Sequence, residues 1–357
     1  MRLVMKALVC VPASVLTLTF CASTALAIGE GDHHKHPPAD GPTGDASGNT
    51  LTAAAGASSI KVSQVSGGFG GNRPKALTPV DPNWKPPACW YEPVATPEQL
   101  KSAVDRLKKG GDLVHVTPTL SWGEDLMVSS YEKDKSAGAG LPSYKNYNLG
   151  KSGMFWRGVM NKDLKDDPES WSCERNLFWQ EANTVPDDKH APTPDVLAAY
   201  AYDRINVPDT KFELKPATKS TVNLPTWVWS DKGRFQDVKV RAELPHTNLW
   251  AETTAKPVSL HLEAGTPDAE TYPASGECAI NDDGTIGAPY SKGDAEKTPP
   301  CGITYLRATD GKPYQLKASV TWQISWTGSG GANGDLPDGT FESTQDMNVQ
   351  EIQSVNR

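Results

Sequence analysis

No C-x-x-C pair, no G-x-S-x-G elbow and no complete phosphate-binding loop occurs in this sequence. The first absence removes zinc ribbons and dithiol redox motifs, and the second removes serine hydrolases of the elbow type. Gly150-Lys151-Ser152 has the tail of a phosphate loop, but the first glycine of that pattern falls on Lys145. Clustered cations are also missing. The 35 Lys and Arg against 43 Asp and Glu leave a net charge of -8, and Lys108-Lys109 reads as a helix end where cations suit the dipole. A nucleic-acid partner is therefore not expected. His115, His190, His246 and His261 stand apart from one another, and Asp166-Asp167, Asp187-Asp188 and Asp282-Asp283 read as solvated turns. No residue is assigned a catalytic, cofactor-binding or metal-binding role, and no cofactor is expected.

What the chain does contain begins with an export signature. Arg2 and Lys6 form a basic region, residues 7–20 are mostly apolar, and Ala25-Leu26-Ala27 is an A-x-A site, so residues 1–27 read as a signal peptide cleaved after Ala27. Lipoprotein processing at Cys21 is disfavoured because Phe20 precedes it. No later segment is long and apolar enough for a transmembrane helix. Leu336-Pro337-Asp338-Gly339-Thr340 reads as a turn rather than a wall-sorting signal, since no apolar tail follows. Of six cysteines, Cys10 and Cys21 leave with the signal; Cys89, Cys173, Cys278 and Cys301 remain. An even number in an oxidising compartment implies two disulfides, with three possible pairings. Cys89 with Cys173 and Cys278 with Cys301 are preferred, because each pair then stays inside one domain.

Residues 28–75, rich in Gly, Ala, Ser and Pro, read as a disordered tether. Within it His33, His34 and His36 form a potential chelate, but a flexible segment offers nothing to orient the rings, and the cluster reads as solvated. Residues 76–216 form an expected mixed central domain. Thr96-Pro97-Glu98-Gln99 has capping-box spacing ahead of Leu100, Val104 and Leu107, with Gly110-Gly111 as the stop. Thr193-Pro194-Asp195 opens a second helix that turns Leu197, Ala201 and Ile205 inward and ends by Pro208. Residues 113–116 suit a short strand, and Trp156, Trp171, Phe178 and Trp179 suit core anchors.

In residues 217–357 the period changes to two. Tyr314, Leu316, Ala318, Val320, Trp322, Ile324 and Trp326 alternate with polar residues, Val238, Val240, Ala242 and Leu244 repeat the pattern, and so do Val258, Leu260 and Leu262. Repeated short strands separated by Gly, Pro and Asp turns argue for an antiparallel β-sandwich of immunoglobulin-like type. The expected class is α+β, with 1–27, 28–75, 76–216 and 217–357 as its parts.

Leu224-Pro225-Thr226-Trp227-Val228-Trp229, Cys301-Gly302-Ile303-Thr304-Tyr305, the run from Ala318 to Thr327, and Val349-Gln350-Glu351-Ile352-Gln353 together resemble a recurring C-terminal domain of actinobacterial exported proteins. That domain is similar to PKD-like β-sandwiches, and Cys89-Trp90-Tyr91-Glu92-Pro93 resembles the same group. Where relatives carry a Gly-Asp-Gly turn, Glu263-Ala264-Gly265-Thr266 stands here. Signal, tether and sandwich point to a secreted or cell-surface, non-enzymatic module that binds a protein or a cell-wall polymer. The alternative is a hydrolase of an extracellular polymer with its chemistry in the central domain.

Overall fold

A computed structural model describes residues 43–47, 50–54, 58–67, 75–109, 128–135, 143–207, 212–217, 219–230 and 235–352. The expected signal segment, His33, His34, His36, Gly110-Gly111 and the expected strand at 113–116 lie outside the described residues.

The fold is mostly antiparallel sheet with few helices. The longest alternating run forms β18 (Tyr314–Gly328), whose Leu316, Ala318, Val320, Trp322, Ile324 and Trp326 are all buried. It pairs antiparallel with β14 (Trp250–Glu263) on one side and β19 (Asn333–Gln350) on the other. β13 (Val238–Glu243), β3 (Lys61–Ser66), β2 (Thr50–Ala54) and β1 (Thr43–Ser47) extend the sheet beyond β14. β11 (Lys219–Thr221) closes the far edge, parallel to β19; β5 (Thr78–Pro79) pairs with β19 and β16 (Glu277–Ala279) with β14. A second sheet orders β10 (Glu213–Lys215), β12 (Pro225–Trp229), β17 (Gly302–Tyr305) and β15 (Ala269–Tyr272). A third carries β6 (Cys89–Ala95), β7 (Gly153–Met160) and β8 (Phe178–Glu181), and β4 (Lys75–Ala76) pairs with β9 (Asn206–Val207).

Two expectations fail at bulges, each beside a proline. Val258 is exposed although Leu260 and Leu262 are buried. Pro257 faces Trp322 and Ser259 faces Thr321, so Val258 is an extra residue that reverses the inward phase of β14. Leu336 to Thr340 is not a turn: it lies within β19, where Leu336 faces Ile324, Gly339 faces Trp322, and Pro337-Asp338 form a bulge. Proline donates no ladder hydrogen bond, so both irregularities fall where that donor is absent.

The first helix, α1 (Pro97–Lys108), has the expected cap: Gln99 N donates to Thr96 Oγ1 (3.2 Å) and Thr96 N to Gln99 Oε1 (2.8 Å). Leu100 and Val104 pack with Tyr131, Tyr147, Phe155 and Leu177 in a small core of their own. The second, α2 (Pro194–Tyr202), stops well before Pro208, because the chain turns at Asp203 and enters β9. Leu197, Ala201 and Ile205 are inward as expected. Ala198 O accepts a hydrogen bond from Thr253 Oγ1 of β14 (2.9 Å), and the α2 residues share one core cluster with Trp90, Trp156, Val320 and Trp322. The expected boundary at 216/217 therefore does not separate two cores.

The tether expectation is corrected at its end. Lys61–Ser66 is a strand of the main sheet, with Ile60 and Val62 each 2% exposed. Composition alone missed this because the anchoring is largely polar. Fully buried Glu92 accepts hydrogen bonds from Ser58 Oγ (2.6 Å), Ser59 N, Ser59 Oγ (2.7 Å) and Trp90 Nε1 (2.6 Å).

Candidate functional site

Both disulfides join the preferred partners, Cys89 with Cys173 and Cys278 with Cys301. Cys278 and Cys301 are each 1% exposed and tie β16 to the start of β17. They bracket the turn at Asn281-Asp282-Asp283-Gly284, where Asn281 N donates to Thr285 O (2.8 Å) and Asp283 Oδ1 accepts from Thr285 Oγ1 (2.6 Å). Cys89 opens β6, and Cys173 reaches it across β7 by passing over Gly158. A Cβ on Gly158 would lie 2.7 Å from the Cys173 carbonyl oxygen, so only glycine allows that approach.

The Cys89–Cys173 bridge has polar company. His190 Nδ1 lies 3.8 Å and Ser172 Oγ 3.5 Å from Cys89 Sγ. The one hydrogen of Ser172 Oγ goes to Glu169, whose carbonyl oxygen (2.6 Å) and Oε1 (2.9 Å) both lie within reach, which leaves the hydroxyl to accept from His190 Nε2–H (3.1 Å). The Nδ1 lone pair then faces the sulfur. His190 is locked at its backbone, its N donating to Asp188 Oδ1 (3.0 Å) and its O accepting from Tyr91 N (3.1 Å), and its ring stands edge-on to Tyr91. Ser172 above all, with Lys189 beside it, holds the exposed Glu169 carboxyl below the usual carboxylate range, while burial raises Tyr91. Serine, histidine and glutamate meet here, but not as a hydrolytic relay. That relay needs hydroxyl and carboxylate on opposite imidazole nitrogens. Here Ser172 Oγ and Glu169 Oε1 (3.7 Å) both face Nε2.

A second feature is a cleft of about 370 Å³ between the entrance of β7, the turn after β8, and the loop joining β13 to β14. Met154, Trp156 and Leu249 supply its apolar lining, and Ser152, Gln180, Asn183, Thr184, Thr247 and Asn248 supply amides and hydroxyls. Two of its turns are held in the left-handed region by residues other than glycine, Asn183 (φ 60°) and His246 (φ 63°). Gln180 Nε2 donates to Thr184 Oγ1 (2.6 Å) and to Val185 O (3.2 Å), which ties the β8 turn together. Glu181, on the cleft wall, accepts from Trp179 Nε1 (2.9 Å). On the other side of the same loop a hollow of about 410 Å³ shares Thr247, Asn248 and Leu249 and adds Lys61, Glu243 and Trp250.

The remaining residues singled out in the sequence have structural partners. Gly150-Lys151-Ser152 leads into β7, a strand, where a phosphate loop needs a helix N-terminus. Asp167 caps a short 3-10 turn through Glu169 N and pairs with Lys85 (2.7 Å). Trp227 is buried edge-on against Tyr290, and Trp250 lies under the Arg241 guanidinium at 3.9 Å. Neither the His190 cluster nor the cleft was found from sequence, because each gathers residues from segments far apart in the chain. The left-handed pair at Asn183 and His246 has no sequence signature either, beyond asparagine's tolerance of that region.

Among the described residues, no helix is long and apolar enough to cross a membrane. No protein-family model matches the chain, and neither a curated protein nor a solved structure matches it.

Proposed function

We propose that this is an exported, non-enzymatic binding module of the cell surface, and that its ligand is a neutral polysaccharide strand of the cell wall. The two disulfides suit an oxidising compartment, as does the signal-like segment that precedes the folded region. The C-terminal half is read as an immunoglobulin- or PKD-like sandwich, which accords with two sheets contributing Val228, Ile303, Val320 and Ile324 to one core.

One observation carries the ligand assignment. Two hollows flank a single loop and share Thr247, Asn248 and Leu249, so that an extended ligand can lie across it rather than in one closed pocket. The lining of the first sets amides and hydroxyls that both donate and accept, as vicinal sugar hydroxyls require, among a larger apolar surface. Val185, 42% exposed, and Met154 and Leu249 offer apolar contact to the C–H faces of a sugar ring. A glycosidase needs two carboxylates across the scissile bond. Among the described residues Glu181 is the one carboxylate lining the first hollow, where it is tied to Trp179, and Glu243, lining the second, is tied to Arg241.

The test is sedimentation of the mature chain with insoluble wall polysaccharide, compared with the double variant Gln180→Ala/Asn248→Ala. The expected result is wild-type retention that falls at least tenfold in the variant, an effect of about 1.4 kcal/mol. Equal retention of both proteins would remove the cleft from the account. Release of soluble sugar would favour the hydrolase reading.

A further inference from the structure

We infer that Cys89, Cys173 and His190 form a site for a thiophilic divalent cation, with Zn2+ as the type case, once the Cys89–Cys173 bond has been reduced. The same two sulfurs then serve either as a bridge or as ligands, depending on the redox state of the surroundings. This inference is independent of the polysaccharide cleft.

The geometry comes first. Sγ of Cys89, Sγ of Cys173 and a ring nitrogen of His190 all lie within 4.8 Å of one another. A tetrahedral zinc site with Zn–S near 2.3 Å and Zn–N near 2.0 Å puts neighbouring S and N atoms about 3.5 Å apart. His190 Nδ1 is already 3.8 Å from Cys89 Sγ. Separating the sulfurs to tetrahedral spacing is a matter of side-chain rotation. Three protein ligands leave a fourth position open to water or to a ligand, the arrangement of reactive rather than purely structural zinc.

The outer shell is also in place. A ligating histidine ordinarily donates its other ring N–H to an oxygen that fixes tautomer and ring direction. His190 does this through Nε2 to Ser172 Oγ, which is itself committed to Glu169. The result is a Nδ1 lone pair directed at the sulfurs. The Cys278–Cys301 bridge makes the contrast: its Cys278 sulfur faces the Tyr272 carbonyl oxygen at 3.7 Å.

The donors are held by contacts other than the S–S bond. Cys89 sits in the β6–β7 ladder opposite Met160; His190 is pinned through Tyr91 and Asp188; the Cys173 segment is pinned where Arg175 N donates to Tyr91 Oη (3.3 Å) and Ser172 N to Glu169 O (3.1 Å). Access is asymmetric: Cys89 is buried and Cys173 is partly exposed, so an incoming thiolate reaches the Cys173 sulfur and expels Cys89. A dithiol reductant supplies two electrons and two protons, leaving two cysteine thiols and becoming a disulfide itself. Zn2+ then displaces both thiol protons and takes two thiolates and the Nδ1 lone pair.

The experiment uses the mature chain reduced with a phosphine, with and without Zn2+, and maps by mass spectrometry the rate at which each cysteine is alkylated. The expected result is that Zn2+ slows alkylation of Cys89 and Cys173 at least tenfold, leaves Cys278 and Cys301 unaffected, and protects nothing in His190→Gln. That variant keeps all four cysteines and the native bridges. Equal protection in His190→Gln would overturn the inference, and so would protection confined to Cys278 and Cys301. Absence of any protection, including through unfolding of the reduced chain, would overturn it too.

Discussion

Glu92 of β6 faces Arg157 of β7 across the ladder, and the same carboxylate holds Ser58 and Ser59 of the segment leading into β3. Burial draws Arg157 below its ordinary value, and the Glu92 charge works in the opposite direction. Glu92→Ala is expected to cost roughly 1 to 3 kcal/mol for each buried donor left without its acceptor, Trp90 Nε1 first, with Ser58 and Ser59 released as well. Urea unfolding measures that loss. Limited proteolysis should show new cleavage within 58–67, and an unchanged digestion pattern would mean that Glu92 does not anchor this segment.

Asp203 follows the last residue of α2, and burial pushes its carboxyl up to about 6, with Arg204 acting the other way. A folded-state value above the unfolded one means that the native protein binds the proton more tightly. The protonated carboxyl stabilises the fold below about pH 4, and that contribution is lost as pH rises through 6. Asp203→Asn should therefore raise the melting temperature at pH 7.5 and leave it nearly unchanged at pH 4. A variant less stable than wild type at pH 7.5 would refute the assignment.

The reciprocal bonds of Thr96 and Gln99 make α1 sensitive to its first turn. Thr96→Ala should cost about 1 kcal/mol. Amide exchange should quicken near Leu100 and remain slow in α2.

The bulge at Val258 allows a paired comparison within one strand. Leu260→Ala, at a fully buried position, should cost roughly 2 to 5 kcal/mol. Val258→Thr, at a position 38% exposed, should fall within about 0.5 kcal/mol of wild type. Equal costs at the two positions would show that the inward phase of β14 does not reverse.

The two bridges close loops of different length, with sequence separations of 84 and 23. In the chain-entropy picture their removal costs roughly 4 to 5 and 3 to 4 kcal/mol respectively. Denaturant midpoints of Cys89→Ser/Cys173→Ser and Cys278→Ser/Cys301→Ser should follow that order. The reverse order would point to native-state contacts, not loop length, as the dominant effect.

Much of this fold can be read from local patterns. The alternation in β18, the cap of α1 and the inward face of α2 each depend on residues within a few positions of one another. The tether boundary could not be read in this way, because Ser58, Ser59 and Ile60 look unremarkable until Glu92 and the edge of β13 are beside them. Val258 misled for a related reason: a bulge is a property of two paired strands, and β14 alone carries only the hint of Pro257. The candidate site was the least visible part. Cys89 and His190 are 101 residues apart, and the cleft joins turns from three segments.

The order of residues alone determined which faces are apolar, where the helices begin, and that four cysteines remain after the signal-like segment, since periodicity, capping and counting are properties of one dimension. Tertiary structure decided that an imidazole faces one bridge and a carbonyl the other, and that a polar loop lies between two hollows. Those outcomes depend on how separate strands are brought together by burying a common core, and a linear spacing holds no record of that packing.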